Sequence, residues 1–467
     1  MTTMDRRRFL ARGAVAAGAV TVASGSLIGL LARSAGGPDG PAAGSPARND
    51  DGYGPLVDMG DLWLPRGFRY VAFGETGTPL PLTRGGAPVG PLPRGHDGMA
   101  SFAAGAGLAR LVRNHENTEE VSPLGGGGYD PARYGGTTTM EFDITNPADA
   151  SRDAMRFRGQ WVSIRGTSTN CAGGLTPWGS WLTCEETVET VGEPHGYVFE
   201  VPSGANGPVD AVPLEAMGRF VHEAVALDPA TGIAYETEDR RISGDGTGSG
   251  FYRFTPTTGT SFGTAGRLEM LAVKGRPNHD SSTGQRIGEV LPVTWVPIAD
   301  PDPANAATDS QAVFRQGWEQ GAARFNRLEG AWHGDGSIFI ISTNGGDPRP
   351  GGDPGLGQVW QYLPRGNSGG QLVLLVESRD PDIMEAPDNV CVSPRGGLLA
   401  CEDGAGAQYL RGITRDGRVF DFATHTLDGS NEFAGANWSP DGNWLFVNVQ
   451  DPGVTYAVTG PWEAGAL

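Results

Sequence analysis

The stretch Glu329-Gly-Ala-Trp-His-Gly-Asp-Gly-Ser-Ile-Phe-Ile-Ile-Ser-Thr-Asn344 decides the fold of this chain, because its pattern recurs along the sequence. It predicts a β-hairpin, in which an apolar strand, an Asp-Gly turn and a second apolar strand follow one another. Five further copies run from 97 to 117, 173 to 186, 222 to 239, 388 to 403 and 432 to 448. A recurring hairpin predicts stacked units around a shared core, since one hairpin cannot bury its apolar face alone.

Composition and spacing predict an all-β fold, a six-bladed β-propeller with loop and small-strand insertions. The 467 residues include 74 Gly and 35 Pro, which divide the sequence into short strands. A repeat of roughly 50 to 60 residues favours a propeller over a sandwich or a barrel. The longest spacer, 254–326, predicts one strand pair with a cap or lid.

The N-terminal segment predicts export. Residues 1–44 read as a twin-arginine signal peptide and linker, and residues 45–467 as the propeller domain. Arg6, Arg7 and Arg8 precede a Gly- and Ala-rich run without charge from 13 to 32. The twin-arginine export machinery is therefore an expected partner, the expected location is periplasmic or extracellular, and no stable membrane span is expected after processing.

Charge and cysteine content limit the partners. The formal net charge is −19, which excludes nucleic acid as a partner, because its binding relies on clustered Lys and Arg. Four cysteines are too few for a disulfide framework. Cys391 and Cys401 are expected on opposite faces of one hairpin, so no bridge is predicted there. A monomer is expected.

Acidic residues recur at the ends of the predicted hairpins, where a strand start and a strand end meet at one rim. Such a rim indicates bound cations, with Ca²⁺ preferred by carboxylate and amide oxygens. A solvated acidic surface is the alternative interpretation. The strand-end acids are Glu116, Glu185, Glu186, Glu238, Asp239, Glu402 and Asp403, and the strand-start acids are Glu223, Glu329, Asp388 and Glu432.

Cys171 lies beside these acids and is followed by a turn containing two glycines. A thiolate there would favour a transition metal next to calcium, whereas a small buried core residue is the alternative. Cys184 and Cys401 are expected in the core. The chain has no His-x-x-x-His or Cys-x-x-Cys pair for zinc and no serine-hydrolase elbow in a fitting context. If the protein is an enzyme, metals would supply the Lewis acid and the nucleophile.

Several motifs together resemble the PhoX-type alkaline phosphatases over nearly the whole chain. The most specific is the block from Asn170-Cys-Ala-Gly-Gly to Cys184-Glu-Glu186. Asn114-His-Glu-Asn, His222-Glu, Glu385-Ala-Pro-Asp-Asn389 and Cys401-Glu-Asp403 accompany it. The resemblance implies a six-bladed propeller with several calcium ions, a pair of ferric irons and a cysteine ligand to iron. It implies hydrolysis of small-molecule phosphate monoesters at alkaline pH outside the cytoplasm.

The resemblance also implies a set of metal ligands. Cys171 would be the iron thiolate, with Glu186, Glu238 and Glu385 as further iron ligands. The remaining predicted ligands would share the calcium ions. These are Glu116, Glu185, Glu223, Asp388, Asn389, Glu402 and Asp403, and Asp239 completes the predicted metal set.

The expected phosphate clamp fits the family less well. The family is expected to use a Lys and an Arg near the metals, but Ile383 and Met384 precede Glu385 here. Arg165, Arg379 and Arg240 are therefore the candidate phosphate-binding residues. Two other functions stay open at this point: a calcium-dependent lactonase or esterase-type propeller, and a non-enzymatic secreted propeller that uses calcium for stability and its rim for binding.

Overall fold

The protein, seen in a computed structural model, is described at residues 52–117, 123–144, 155–258, 261–349, 352, 354–366, 369–427 and 432–467. The predicted signal segment lies outside these residues. Antiparallel strands dominate, which confirms the all-β prediction. Within the described residues, one α-helix, α1 (Ala312–Trp318), and the short 3₁₀ turns Glu215–Met217 and Trp462–Ala464 interrupt them. None of these helices is long and apolar enough to cross a membrane.

Most strands belong to five antiparallel sheets. The first sheet holds β6 (His96–Gly105), β7 (Leu108–His115), β8 (Gly135–Ile144) and β9 (Met155–Thr167) in that order. The second holds β10 (Asn170–Leu175), β11 (Ser180–Glu185) and β12 (Val198–Pro202). The third runs β13 (His222–Leu227), β14 (Ala234–Glu238), β15 (Phe251–Thr258), β16 (Ser261–Val273), β17 (Val290–Pro297), β21 (Gly370–Glu377), β20 (Gln358–Pro364), β19 (Ser337–Ser342) and β18 (Leu328–Gly334).

Strands from the N-terminal part of the chain complete the last two sheets. One sheet runs β1 (Leu56–Asp58), β2 (Leu62–Pro65), β25 (Val419–His425), β24 (Tyr409–Ile413), β23 (Leu398–Glu402) and β22 (Pro387–Val392). The other runs β26 (Phe433–Trp438), β27 (Leu445–Val449), β28 (Val454–Thr459) and β3 (Arg69–Phe73). A separate pair joins β4 (Pro79–Pro81) to β5 (Pro88–Pro91). The β3–β28 pairing ties the start of the folded chain to its end.

The first strands of the six hairpins lie next to one another. β10 packs against β6 and β13, and β18 packs against β13 and β22. β26 packs against β22 and returns to β6. The first strands of the six hairpins therefore form a closed circuit of contacts.

Each of these hairpins contains a β-bulge near the start of its first strand. In the third hairpin His222 pairs with Glu238 and Val225 with Glu236, so three steps on one strand match two on the other. The same shift follows His96, Asn170, Leu328, Pro387 and Ala434. A bulge adds one residue and redirects the side chains around it.

The turns follow the predicted chemistry. Gly334 pairs with Ser337 across the two-residue turn Asp335-Gly336, whose φ angles are +50° and +70°. Positive φ at both central residues defines the type I′ turn that suits strand twist, and Asp-Gly is among its preferred sequences. The hairpin prediction for 329–344 is therefore confirmed.

The spacer 254–326 holds more than the predicted strand pair. β17 joins the sheet edge of β16 to that of β21, so two hairpin sheets merge into one of nine strands. Helix α1 packs against β16. The segment just before α1 contributes one wall of the cavity described below.

All four cysteines are free and buried. Cys184 and Cys401 lie in apolar clusters, as expected. The expectation that Cys391 and Cys401 face opposite sides is wrong, since both pack into the same core cluster. Cys391 pairs with Leu399, and residues two apart on a strand share a face.

Candidate metal centre

The bulges bring one ligand-type side chain from each of five hairpins towards a common centre. In each of these hairpins the side chain belongs to the residue that directly follows the first paired residue of the first strand. In chain order these residues are Asp97, Cys171, Glu223, Glu329 and Asp388. We call these five residues the inner tier. At the sixth hairpin Ala434 and Gly435 stand in this region and offer no side-chain ligand.

A second set of residues follows the second strand of each hairpin. The backbone N–H of each of these residues donates to the backbone carbonyl oxygen of the residue just before the first strand, at 2.8–3.1 Å. The six pairs, donor first, are Glu116–Gly95, Glu186–Thr169, Asp239–Val221, Thr343–Arg327, Asp403–Ala386 and Gln450–Glu432. Four of these residues are acids, Glu116, Glu186, Asp239 and Asp403, and we call them the outer tier together with Glu432, which precedes the first strand of the sixth hairpin and accepts from Gln450. Thr169, Arg327 and Ala386 have φ between +47° and +56°. Backbone in this region is sparsely populated without glycine and tends to occur at functional sites.

Two groups of ligand atoms are close enough to share an ion. Cys171 Sγ lies with carboxylate oxygens of Glu186 and Glu223, all within 4.8 Å of one another. Carboxylate oxygens of Glu223, Glu329 and Asp388 meet the same limit. Glu223 therefore connects the two groups.

Burial and mutual repulsion disfavour negative charge in this cluster. Burial raises the pKa of Glu223 well above its usual value, and the Glu329, Glu186 and Asp388 carboxylates raise it further. Burial likewise raises the pKa of Asp388 to about 7. The pKa of the Cys171 thiol is raised by burial and then by Glu223, Glu186 and Asp97. Cations would relieve this repulsion and favour the ionised ligands.

Few protein donors face so many acids. Arg327 contacts Glu329 and lies 3.1 Å from Asp239 through Nη2. Gln450 Nε2 donates to Glu116 at 2.8 Å and to Asp97 at 3.3 Å. Two carboxylates about 5 Å apart repel by roughly 3 kcal/mol at an effective dielectric of about 20. Arg241 also acts on Asp403 and the Asn389 amide donates to Asp388, yet among the described residues these few donors face nine carboxyl groups over the two tiers.

Cys171 is held in place by the neighbouring hairpin. Asn114 Nδ2 donates to the carbonyl oxygens of Cys171 and Ala172 at 2.9 and 2.8 Å. Asn114 Oδ1 accepts from Trp181 Nε1 and Thr183 Oγ1 at 2.8 and 2.9 Å. All four hydrogen bonds are buried, so this amide fixes the backbone that carries the thiol.

Replacing Asn114 with Ala is expected to lower the free energy of unfolding by about 2–4 kcal/mol, because it leaves several buried groups without partners. Urea unfolding would measure this change. Asn206→Ala is the matched control, since Asn206 accepts one exposed hydrogen bond from Arg110. An Asn114→Ala loss no larger than that of the control would contradict the bracing role.

Three predicted metal ligands, Glu185, Glu238 and Glu402, each directly precede an outer-tier residue in the sequence. Their carboxylates accept hydrogen bonds from protein donors outside the cluster. Glu185 accepts from His195 Nδ1 at 2.7 Å and from three backbone N–H groups. Glu238 accepts from Tyr252 Oη at 2.7 Å and from the Gly250 N–H. Glu402 accepts from Arg411 Nε at 2.7 Å. Because successive strand residues face opposite sides, their neighbours Glu186, Asp239 and Asp403 take the outer-tier positions.

Two further predicted ligands stand beside the cluster. Asn389 supports Asp388, since its Nδ2 donates to Asp388 Oδ1 at 3.3 Å while its Oδ1 accepts from the Gly435 N–H. Glu385 is half-buried, and Arg349 Nη1 lies 3.9 Å from its Oε1. Glu385 belongs to neither of the two groups of ligand atoms within 4.8 Å.

The structure adds Asp97, Glu329 and Glu432 to the cluster. Glu329 and Glu432 carry the strand-start signal but had no place in the predicted ligand set. Asp97 opens the copy at 97–117, and its position one residue after His96 matches that of Glu223 after His222. Burial raises the pKa of Glu432, and the carboxylates of Asp388, Asp403, Asp97 and Glu116 raise it further, so these acids lie close enough to repel one another.

A cavity of about 900 Å³ opens beside the two tiers. Its wall includes Glu186, Asp239 and Arg327 from the centre, followed by Arg240 and Arg241. The loop 243–247 and the segment 307–315 form much of the remaining wall. The cavity has room for a small organic molecule rather than for a bare anion alone.

The three candidate phosphate-binding arginines lie in different places. Arg240 lines the cavity, and its Nε has no hydrogen-bond partner among the described residues. Arg165 packs against the loop at Gly127 and Gly128. The Arg379 side chain is 72% exposed and pairs with Glu377 and Asp347. Arg241 and Arg327 also line the cavity, and nothing in the hairpin pattern singled them out.

Carboxylates and a thiol that converge at one end of a ring of strands, beside an open polar cavity, define a metal-dependent enzyme. The sequence agrees with this class. The family model described as "Alkaline phosphatase PhoX" matches residues 51–453, and the chain belongs to that family. The protein is accordingly a metal-dependent alkaline phosphatase.

Among the solved structures similar to this chain, that of a Pseudomonas PhoX shows the same fold. PhoX of Pseudomonas fluorescens, in complex with the transition-state analogue vanadate, is similar with a TM-score of 0.67 and 18% identity over 89% of this chain and 99% of that one. Virginiamycin B lyase of Staphylococcus aureus has a TM-score of 0.40 and 10% identity over 84% and 99%. A gluconolactonase of Xanthomonas campestris has a TM-score of 0.32 and 11% identity over 84% and 100%. No curated protein sequence matches the chain.

Proposed function

We propose that this protein is an exported phosphatase that hydrolyses phosphate monoesters at a site holding calcium and iron, on the axis of a six-bladed β-propeller. The observation that carries the proposal is Glu223, which joins the thiol-containing group to the all-carboxylate group. The cavity beside both groups gives an organic phosphate access to that point. A substrate there would meet the arginines and the two tiers together.

Six blades are the simplest interpretation of the strand contacts. Each hairpin starts one unit, and the starts pack in chain order until β26 meets β6. The nine-stranded sheet then counts as two four-stranded blades bridged by β17. The β3–β28 pairing would close the ring, as expected when a propeller joins its first and last strands.

The donor types suggest how the metals divide. Cys171, Glu186 and Glu223 offer one sulfur and carboxylate oxygens, which suits iron. Glu329, Asp388, Glu116, Asp239 and Asp403 offer oxygen alone, which suits calcium. We assign Glu185, Glu238, Glu402 and Asn389 to supporting the backbone and the ligands, because their polar atoms already have protein partners.

The bound metals would supply Lewis acidity and neutralise phosphoryl oxygens. The protein's own residues hold these cations close together and position the ester. Arg240, Arg241 and Arg327 stand where the cavity meets the tiers and would bind the phosphate oxygens. Guanidinium groups at this point would stabilise the charge that develops on phosphoryl oxygens during transfer.

Replacing Arg240 with Gln is expected to lower kcat/KM about 100-fold, because the variant loses one charged donor to the phosphate. Steady-state turnover of p-nitrophenyl phosphate measures the effect. Arg379→Gln is the matched control, since Arg379 is an exposed arginine that pairs with Glu377 and Asp347. Equal activity in the two variants would remove Arg240 from the clamp.

Elemental analysis together with turnover tests the function as a whole. The purified protein is expected to contain calcium and iron, to release phosphate from p-nitrophenyl phosphate at alkaline pH and to lose this activity in a chelator. Calcium without iron would overturn the assignment of the thiol-containing group. Turnover that persists after both metals are removed would overturn the metal mechanism.

The proposal of export through the twin-arginine pathway rests on residues 1–44. Residues 45–467 would be the transported domain, and we expect that domain to be a monomer. The support is the Arg6-Arg-Arg8 signal followed by an uncharged run. Replacing the three arginines with Lys should hold the protein in the cytoplasm. Normal export of that variant would argue against the route.

A further inference from the structure

The cavity beside the metal centre changes in charge from its inner end to its outer wall. Arg240, Arg241 and Arg327 gather where it meets the outer tier. The wall also carries Asp245 and Asp309, whose side chains are 52% and 31% exposed, whereas those of Arg327 and Asp239 are 19% and 10% exposed, so these two acids lie nearer to solvent. A phosphate ester bound at the centre would place its alcohol part against this outer wall.

The outer wall carries more negative than positive charge. Arg315 is shared between Asp245, at 3.4 Å, and Asp309, at 3.1 Å, so one guanidinium faces two carboxylates. Glu189 also lines the cavity but is neutralised by Arg133 at 2.5 Å. Hydrogen bonds from Ser243 Oγ and from Thr247 Oγ1, the latter at 2.7 Å, lower the pKa of Asp245 to about 2, so this carboxylate is ionised. One net negative charge would therefore face the alcohol part of a bound ester.

The same wall offers hydrogen bonds to a hydroxylated ligand. Ser243, Thr247, Thr308 and Ser310 line it. Gln311 also lines it and is 8% exposed, and its Oε1 has no hydrogen-bond partner among the described residues. Its Nε2 is already engaged with Glu238, so the free Oε1 is positioned to accept from a ligand hydroxyl or ammonium group.

We propose that this cavity selects phosphate monoesters whose alcohol part is hydroxylated and neutral or cationic, and that it disfavours esters carrying a second phosphate. Asp245 and Asp309 are the residues that set this preference, with Gln311 as a hydrogen-bond acceptor. The inference rests on the proposed phosphatase site. It concerns the part of the substrate that does not react.

Three esters of the same sugar skeleton test the preference. Glucosamine 6-phosphate, glucose 6-phosphate and glucose 1,6-bisphosphate differ mainly in the charge of the group remote from one phosphate. We expect kcat/KM to fall in that order by about five- to tenfold per step at about 0.02 M salt. At about 0.5 M salt the differences should shrink, because screening weakens the interaction of exposed charges.

The double variant Asp245→Asn/Asp309→Asn isolates the wall charge. Its bisphosphate-to-monophosphate ratio of kcat/KM should rise about tenfold relative to the unmodified protein. Asp335→Asn is the matched control, because Asp335 pairs with Arg415 at 3.6 Å on a hairpin turn and does not line the cavity. That control should keep the original ratios.

The outcomes separate this inference from the proposed function. If p-nitrophenyl phosphate is not hydrolysed, the phosphatase site itself fails and the inference falls with it. If p-nitrophenyl phosphate is hydrolysed but the three sugar esters react equally at low salt, only the charge preference is overturned. An unchanged ratio in a double variant that unfolds at the normal temperature would also overturn it.

Discussion

Glu223→Gln is expected to lower kcat/KM by about 10³-fold or more and to reduce the metal content of the protein. Glu223 belongs to both groups of ligand atoms, so a neutral amide there weakens both at once. The substitution also removes one of several mutually repelling acids. We therefore expect the protein without metal to become more stable while the enzyme loses activity, a combination that general misfolding would not produce.

Glu238→Gln provides the comparison. Glu238 is fully buried and lies on β14, the strand that pairs with the Glu223-bearing strand β13. Its carboxylate accepts from Tyr252, Gly250 and Gln311 rather than joining either group within 4.8 Å. Glu238→Gln should therefore lower the unfolding temperature more than it lowers metal content. Elemental analysis and thermal unfolding of both variants would decide, and loss of metal from Glu238→Gln alone would reverse the assignment.

Cys171→Ala is expected to lose iron and turnover together while calcium content falls less. The thiol lies with carboxylates of Glu186 and Glu223 and is the soft ligand of its group. Its Sγ otherwise reaches the carbonyl oxygens of His222 and Glu223, at 3.4 and 3.7 Å. We expect a loss of about 10³-fold in kcat, comparable to removing a group that acts only in the transition state.

Cys184→Ala is the matched control for this variant. Cys184 is equally buried, lies on the neighbouring strand β11 and packs into the same apolar cluster. It should lose stability by about 1 kcal/mol through the cavity it leaves, with iron retained. If Cys171→Ala kept full iron and full turnover, the thiol would be a core residue like Cys184.

The hairpins could be predicted from local sequence because their signals are local. The Asp335-Gly336 turn requires positive φ at both positions, and the alternation around it follows the period of a strand. The merger of two hairpin sheets through β17 could not be predicted this way. β17 pairs with β21, which lies far along the chain, and no nearby residue records that partner.

Local sequence was also insufficient to choose between neighbouring residues as metal ligands. Two acids stand side by side at three of the strand ends, in the pairs Glu185–Glu186, Glu238–Asp239 and Glu402–Asp403. The sequence marks both members of each pair, whereas the structure directs the first to protein donors and the second to the cluster. A shift of one residue reverses which face a strand residue occupies.

The sequence by itself determined the all-β class, the recurring hairpins, the acid-rich rim and the family. These follow from turn chemistry, strand periodicity and motifs that span few residues. Only the tertiary structure decided that Glu223 joins two ligand groups, that Asp97 and Glu329 enter the centre, and that Arg240 rather than Arg379 lines the cavity. The reason is that bulges and contacts between distant strands set side-chain direction, and these depend on how the whole chain closes.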